Sequence, residues 1–175
     1  GIKQISKERI LGELFKILDL KNFIHLNESE YLKELFTLIF PELNNLERLS
    51  RLKKICNHSQ INRDILLATL LIDEKENHEY FVHKYKISNE IKETLNLFAK
   101  DLKILKENKD FFEKDLEKNI YLSNKNHLIN LNILNFVINS KYKLKYFSDT
   151  FKRIIQSKVH TFPYDGKYLM QNGMK

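Results

Sequence analysis

Ile65-Leu66-Leu67-Ala68-Thr69-Leu70-Leu71-Ile72 is apolar at every position except Thr69. Such a run has no polar face to turn toward water, which is the pattern of a helix surrounded by other helices. It marks the centre of the expected core. The segments on either side repeat at helical spacing. From Lys7 to Leu20, Ile10, Leu11, Leu14, Phe15 and Leu18 form one stripe, with Ser6 as N-cap and Glu8 in the first turn. Asn27 with Glu30 three residues later reads as a capping box. Tyr31, Leu32, Leu35, Phe36 and Ile39 then make a buried stripe that Pro41 ends.

Leu43, Leu46, Leu49, Leu52 and Ile55 step by three, with Arg48, Arg51, Lys53 and Lys54 at other angles, giving a helix with one apolar and one basic side. Beyond the central run, a short helix is expected near Glu76 to Lys86. Ser88 caps a longer one carrying Ile91, Leu95, Phe98, Leu102 and Leu105. Phe111 to Tyr121, Asn126 to Ile138 and Lys143 to about Gln156 complete an all-α, irregular array of about nine packed helices. The 175 residues suffice for one domain with a substantial core. Four Gly and two Pro argue against a turn-rich β architecture, and no 20- to 50-residue repeat supports a solenoid.

Composition narrows the chemistry. A formal net charge of +7 suits a polyanionic partner, because lysines that neutralise phosphates release condensed counterions. Cys56 is the lone cysteine, so an internal disulfide is excluded and a reducing cytoplasm is the expected setting. No apolar stretch reaches the 18 or so residues of a membrane span. Glycines at 1, 12, 166 and 173 build no phosphate-cradling loop, and no Gly-x-Ser-x-Gly elbow or Cys/His signature activates a nucleophile. Cys56 with His58, and His78 with His83, lack metal-ligand spacing, so no metal site is expected. Leu70-Leu71-Ile72-Asp73 resembles the helix of metal-dependent phosphohydrolases that ends in His-Asp, but Ile72 stands where the histidine ligand belongs. Asp110 with Glu113, and Asp115 with Glu117, sit beside lysines as balanced surface charges rather than magnesium ligands.

The informative feature is basic and aromatic residues interleaved near the C-terminal end: Lys141, Tyr142, Lys143, Lys145, Tyr146, Phe147, then Lys152, Arg153 and Lys158. Lysine and arginine position phosphates and tyrosine stacks on unpaired bases, which makes Lys143, Lys145, Lys152, Arg153 and Lys158 candidate RNA contacts. In the competing reading the aromatics are core and the lysines only solubilise.

Two segments carry a family resemblance. Ile5-Ser6-Lys7-Glu8-Arg9-Ile10, followed by Glu13-Leu14 and Lys16-Ile17-Leu18, is similar to the neck helix of the CCA-adding tRNA nucleotidyltransferase and bacterial poly(A) polymerase family, roughly I-S-x-E-R-I-x-x-E-L-x-K-L-L. Phe162-Pro163-Tyr164-Asp165-Gly166-Lys167-Tyr168-Leu169-Met170-Gln171-Asn172-Gly173 resembles that family's F-P-L-T-G-x-D-L-M-x-L-G, with Asp165 in place of Thr and Tyr168 in place of Asp. Between them, Phe40-Pro41-Glu42-Leu43 and the Ile65–Ile72 run fall where the family's body has its core.

The resemblance implies a neck-like helix over 1–24, a helical body with an RNA-binding surface over 25–160, and the start of a truncated tail over 161–175. It implies tRNA or another RNA as partner, Glu8, Arg9 and Glu13 in neck architecture, and Lys167 as a contact in the tail motif. Arg9 is expected to tie the first helix to a catalytic head. That head, which would hold Mg2+ and ATP or CTP on an Asp-x-Asp pair, is expected upstream of this chain, so no transferase activity is expected of the chain alone. The alternative is a helical protein-interaction module with an incidental basic surface.

Overall fold

A computed structural model of the chain describes residues 6–56 and 61–158. Its elements are α1 (Lys7–Leu18), α2 (Glu30–Ile39), α3 (Leu49–Lys53), α4 (Arg63–Leu71), α5 (Asn77–Tyr85), α6 (Asn89–Glu107), α7 (Leu116–Leu122), α8 (Lys125–Ile138) and α9 (Leu144–Gln156), with 3-10 segments at Phe23–Glu28 and Leu46–Arg48. The protein is all-α, with no strand among the described residues. The Phe162–Gly173 motif, Lys167 and Ile5 lie outside the described residues.

Two helices form the centre. In α4 every residue from Ile65 to Leu71 is buried, and in α8 every residue from Leu131 to Val137 is buried. α4 packs against α5, α6 and α8, and α9 lies along α8. Leu14 and Leu18 of α1 belong to this same main core, so α1 and the helices after it share one interior. Phe40 and Leu43 are buried beside them on either side of the Pro41 turn. A satellite cluster of Phe111, Phe112, Leu116, Ile120, Leu128, Leu131 and Ile154 seats α7 and the far end of α9. Truncating a fully enclosed residue such as Leu67 to alanine costs about 2–5 kcal/mol.

The helix starts follow their polar caps. Ser6 accepts from the Arg9 N–H at 3.3 Å, Asn62 from Ile65 at 3.0 Å and Asn124 from His127 at 2.8 Å. α2 departs from expectation here, because Ser29 rather than Asn27 is its cap, accepting from Leu32 at 3.3 Å. Asn27 instead lies in the preceding 3-10 segment and donates to Ser50 Oγ at 2.6 Å.

The 43–55 segment also differs from the continuous helix that its spacing suggested. Leu43, Leu46, Leu49, Leu52 and Ile55 are all buried, yet the backbone turns with i to i−3 bonds: Arg48 N–H to Asn45 O at 3.1 Å and Ile55 N–H to Leu52 O at 3.1 Å. A 3-10 turn over Leu46–Arg48 leads into the short α3, so the path is broken rather than one continuous helix. The basic side does not face water as a strip. Arg48 Nη1 donates to Thr69 O at 2.8 Å and Ile72 O at 2.7 Å, and Asn45 Nδ2 to Leu70 O at 2.8 Å, closing the C-terminus of α4. Arg51 does the same for α8: Nε donates to Phe136 O at 2.8 Å, and Nη2 to Tyr142 O at 2.8 Å and Asn139 O at 3.2 Å. The last carbonyls of a helix have no intrahelical donors and carry its negative dipole end, so a planar cation satisfies both needs.

The expected α2 stripe is corrected too. Phe36 is buried, but Tyr31, Leu32, Leu35, Leu38 and Ile39 are exposed, because only Phe36 and Phe40 point toward the rest of the molecule.

Candidate nucleic-acid interface

α9 is the element on which the basic and aromatic residues meet. Phe147, Thr150 and Ile154 recur at three- and four-residue intervals and are buried against α8 and the satellite cluster, with Phe151 half-buried beside them. Lys145, Asp149, Lys152 and Gln156 follow the same rhythm on the outer side, all exposed. Lys143 precedes the helix and Lys158 follows it, both exposed. Lys143, Lys145, Lys152 and Lys158 make no ion pair among the described residues, and one exposed carboxylate, Asp149, stands in the stripe.

A polar connection holds α9 in place. Asn132, buried in α8, donates from Nδ2 to Phe147 O at 3.1 Å and accepts the Tyr142 hydroxyl at 2.9 Å. Tyr142 Oη also lies 2.9 Å from Thr150 Oγ1, and burial pushes its phenol pKa up from the ordinary value. Lys125 Nζ donates to Ile155 O at 2.8 Å at the other end. The two tyrosines that sequence places together therefore separate. Tyr142 is tied into the interior, whereas Tyr146 is 59% exposed, with its ring 6.4 Å from that of Tyr142 and nearly parallel to it. Tyr146 is the exposed aromatic of α9, about 100° around the helix from Lys145.

Arg153 is placed differently from its neighbour Lys152, since successive helix positions point 100° apart. Its Nη1 and Nη2 form a bidentate pair with Glu113 at 2.7 and 2.8 Å, and Nη2 donates to Phe112 O at 2.7 Å. The hydrogen bond from Arg153 holds the Glu113 carboxyl below its usual range. Arg153 thus fastens the 111–115 turn onto α9 rather than standing beside the lysines as a free phosphate contact. Sequence reading grouped it with them by chain position alone.

The residues matched to neck architecture lie on the outside of α1. Glu8 and Arg9 are exposed, and Glu13 pairs with Lys16 at 2.9 Å. The Arg9 side chain makes no hydrogen bond or ion pair among the described residues.

An open cleft of about 720 Å³ lies where the end of α1 meets the starts of α4 and α6. Its polar lining is of mixed sign: Arg63 Nε pairs with Asp19 at 3.1 Å, and Asp64 and Glu90 stand nearby. Burial, reinforced by Glu90, pushes the Asp64 carboxyl up. Among the described residues, no three His, Cys, Asp or Glu side chains converge to hold a metal ion. No helix among them is long and apolar enough to cross a membrane.

No known family model matches this chain, and no curated protein or solved structure matches it significantly.

Proposed function

We propose that this chain is the RNA-holding helical part of a template-independent nucleotidyltransferase, of the kind that adds CCA or a poly(A) tail to RNA 3′ ends. The observation that carries the reading is the outer face of α9, where Lys145 and Lys152 lie two turns apart and Lys143 and Lys158 flank the helix, with Tyr146 open on the adjoining flank. The chain leaves this helix toward the Phe162–Gly173 motif, and the neck-like motif occupies α1. The lysines would neutralise backbone phosphates without reading sequence, and Tyr146 would stack on an unpaired base. Lys167, in the tail motif, would extend the same contact. Magnesium and ATP or CTP belong to the catalytic head, and no step of nucleotidyl transfer is assigned to this chain. Glu8, Arg9 and Glu13, on the outer side of α1, would face that head.

The test is a fluorescence anisotropy titration of the chain with tRNA lacking its CCA end, at two salt concentrations, against a duplex DNA of similar charge. Tighter and salt-sensitive binding to tRNA is expected, since each neutralised phosphate adds to the salt slope. Equal binding to both polymers, or none, would sink the proposal.

The exposed apolar face of α2 favours a second reading, a protein-interaction module. Binding through such a face does not weaken as salt rises, so the same titration separates the two.

A further inference from the structure

The apolar residues of α2 and its C-cap Phe40 divide into a buried set and an adjoining exposed set. At 100° per residue, Phe36 and Phe40 share one arc and enter the core. Tyr31, Leu32, Leu35, Leu38 and Ile39 share another, about 120° wide by the same geometry, and are 73%, 46%, 42%, 80% and 36% exposed. The charged residues Glu30, Lys33 and Glu34 lie on the remaining side, with Lys33 Nζ 3.4 Å from Glu30. A helix with an apolar stripe of this width normally presses it against another surface. The five side chains expose on the order of 500 Å², at the upper end of what a monomer leaves open.

We infer that this face is the interface of a two-fold dimer, in which α2 packs antiparallel against α2 of a second copy with the axis passing at Leu35. Three features point to a copy rather than a foreign partner. The stripe is symmetric about Leu35, with apolar residues three and four positions to either side. An isologous contact requires this kind of self-complementarity. The symmetry also pairs unequal exposure: Leu38, the most open, meets the partner's Leu32, and Tyr31 meets the partner's Ile39. No charged residue lies on the arc, so no like charges are pressed together. Two such faces remove about 1,000 Å², the lower bound for a specific interface. The formal +7 of each copy opposes association at long range and is screened by salt. Self-association therefore strengthens with salt, the opposite of RNA binding.

Sedimentation velocity across a concentration series tests this directly. The expected result is a species of twice the 21.0 kDa chain mass at high concentration, growing as salt rises. Leu38→Glu, at a position already open to water, should weaken the dimer at least tenfold with an unchanged helical circular dichroism spectrum. A monomer at every concentration and salt would overturn the inference. Register is tested in a Cys56→Ser background. Leu35→Cys lies on the axis and should cross-link to its own copy under mild oxidation, faster than Leu38→Cys, which faces Leu32 instead. Equal rates, or no cross-link at Leu35→Cys, would overturn the two-fold arrangement.

Discussion

The 45–54 segment and α9 are both rich in basic residues, yet the two regions use them in opposite ways. Arg48 and Arg51 turn inward and end on carbonyl oxygens at the C-termini of α4 and α8. Lys145 and Lys152 turn outward and meet no acceptor among the described residues. What separates them is the position of the acceptors. A helix end that stops in the middle of a bundle leaves carbonyls that water cannot reach, and a planar fork satisfies several at once. On α9 the inner positions are already filled by Phe147, Thr150 and Ile154, so the lysines are left for solvent or a partner. The arginines of the 45–54 segment hold the fold, as Arg153 does on α9, whereas Lys145 and Lys152 are left to hold something else.

The largest expected effect tests the structural half. Arg51→Ala removes three hydrogen bonds to carbonyls and a guanidinium 4.4 Å above the Phe136 ring. It should lower the unfolding free energy by about 3 kcal/mol. Urea unfolding reads this as an earlier midpoint at constant slope. Arg51→Lys should recover little, because a point charge cannot span the same carbonyls. A midpoint that does not move would erase the distinction between the two regions.

Tyr146→Ala sharpens the other half. With its neighbour Tyr142 committed to Asn132, Tyr146 is the ring available for stacking on α9. Binding of an RNA with unpaired bases should weaken by about 1 kcal/mol, roughly fivefold, with stability unchanged. An equal loss for fully paired RNA would assign Tyr146 a shape role instead.

The smallest expected effect is a pH dependence unconnected with either basic region. His78 is buried in α5, and burial depresses its pKa below the ordinary 6.5, against the opposing pull of Glu79, Glu76 and Asp73. Below about pH 6.5 the unfolded chain takes up a proton that the folded chain refuses, so stability falls as the pH drops toward the folded-state value. His78→Leu should flatten this part of the pH profile of the urea midpoint. An unchanged profile would assign the acid sensitivity elsewhere.

The elements that could be read from sequence are those decided by nearby residues. The Ile65–Leu71 run, the Ser6 cap, the long α6 and the amphipathic α9 each announce themselves within a few turns. What escaped depends on distant partners. The acceptors of Arg51 lie 85 to 91 residues away in the chain, and nothing in the local pattern marks them. Glu113 lies 40 residues from Arg153, so Arg153 read as one more free cation. In α2 the periodicity correctly found an apolar face, but periodicity cannot say whether that face meets its own chain. The step of three from Leu43 to Ile55 was visible, but not that the chain runs through a 3-10 turn at Leu46–Arg48 into the short α3 instead of one continuous helix.

The outer face of α9 is proposed to grip RNA phosphate. The most direct test is the salt dependence of tRNA affinity for the chain and for a Lys145→Gln/Lys152→Gln variant of equal stability. The variant should bind more weakly, and its plot of log affinity against log salt should be shallower by between about 1 and 2, as two lost phosphate contacts require. An affinity and slope identical to those of the parent chain would contradict the account.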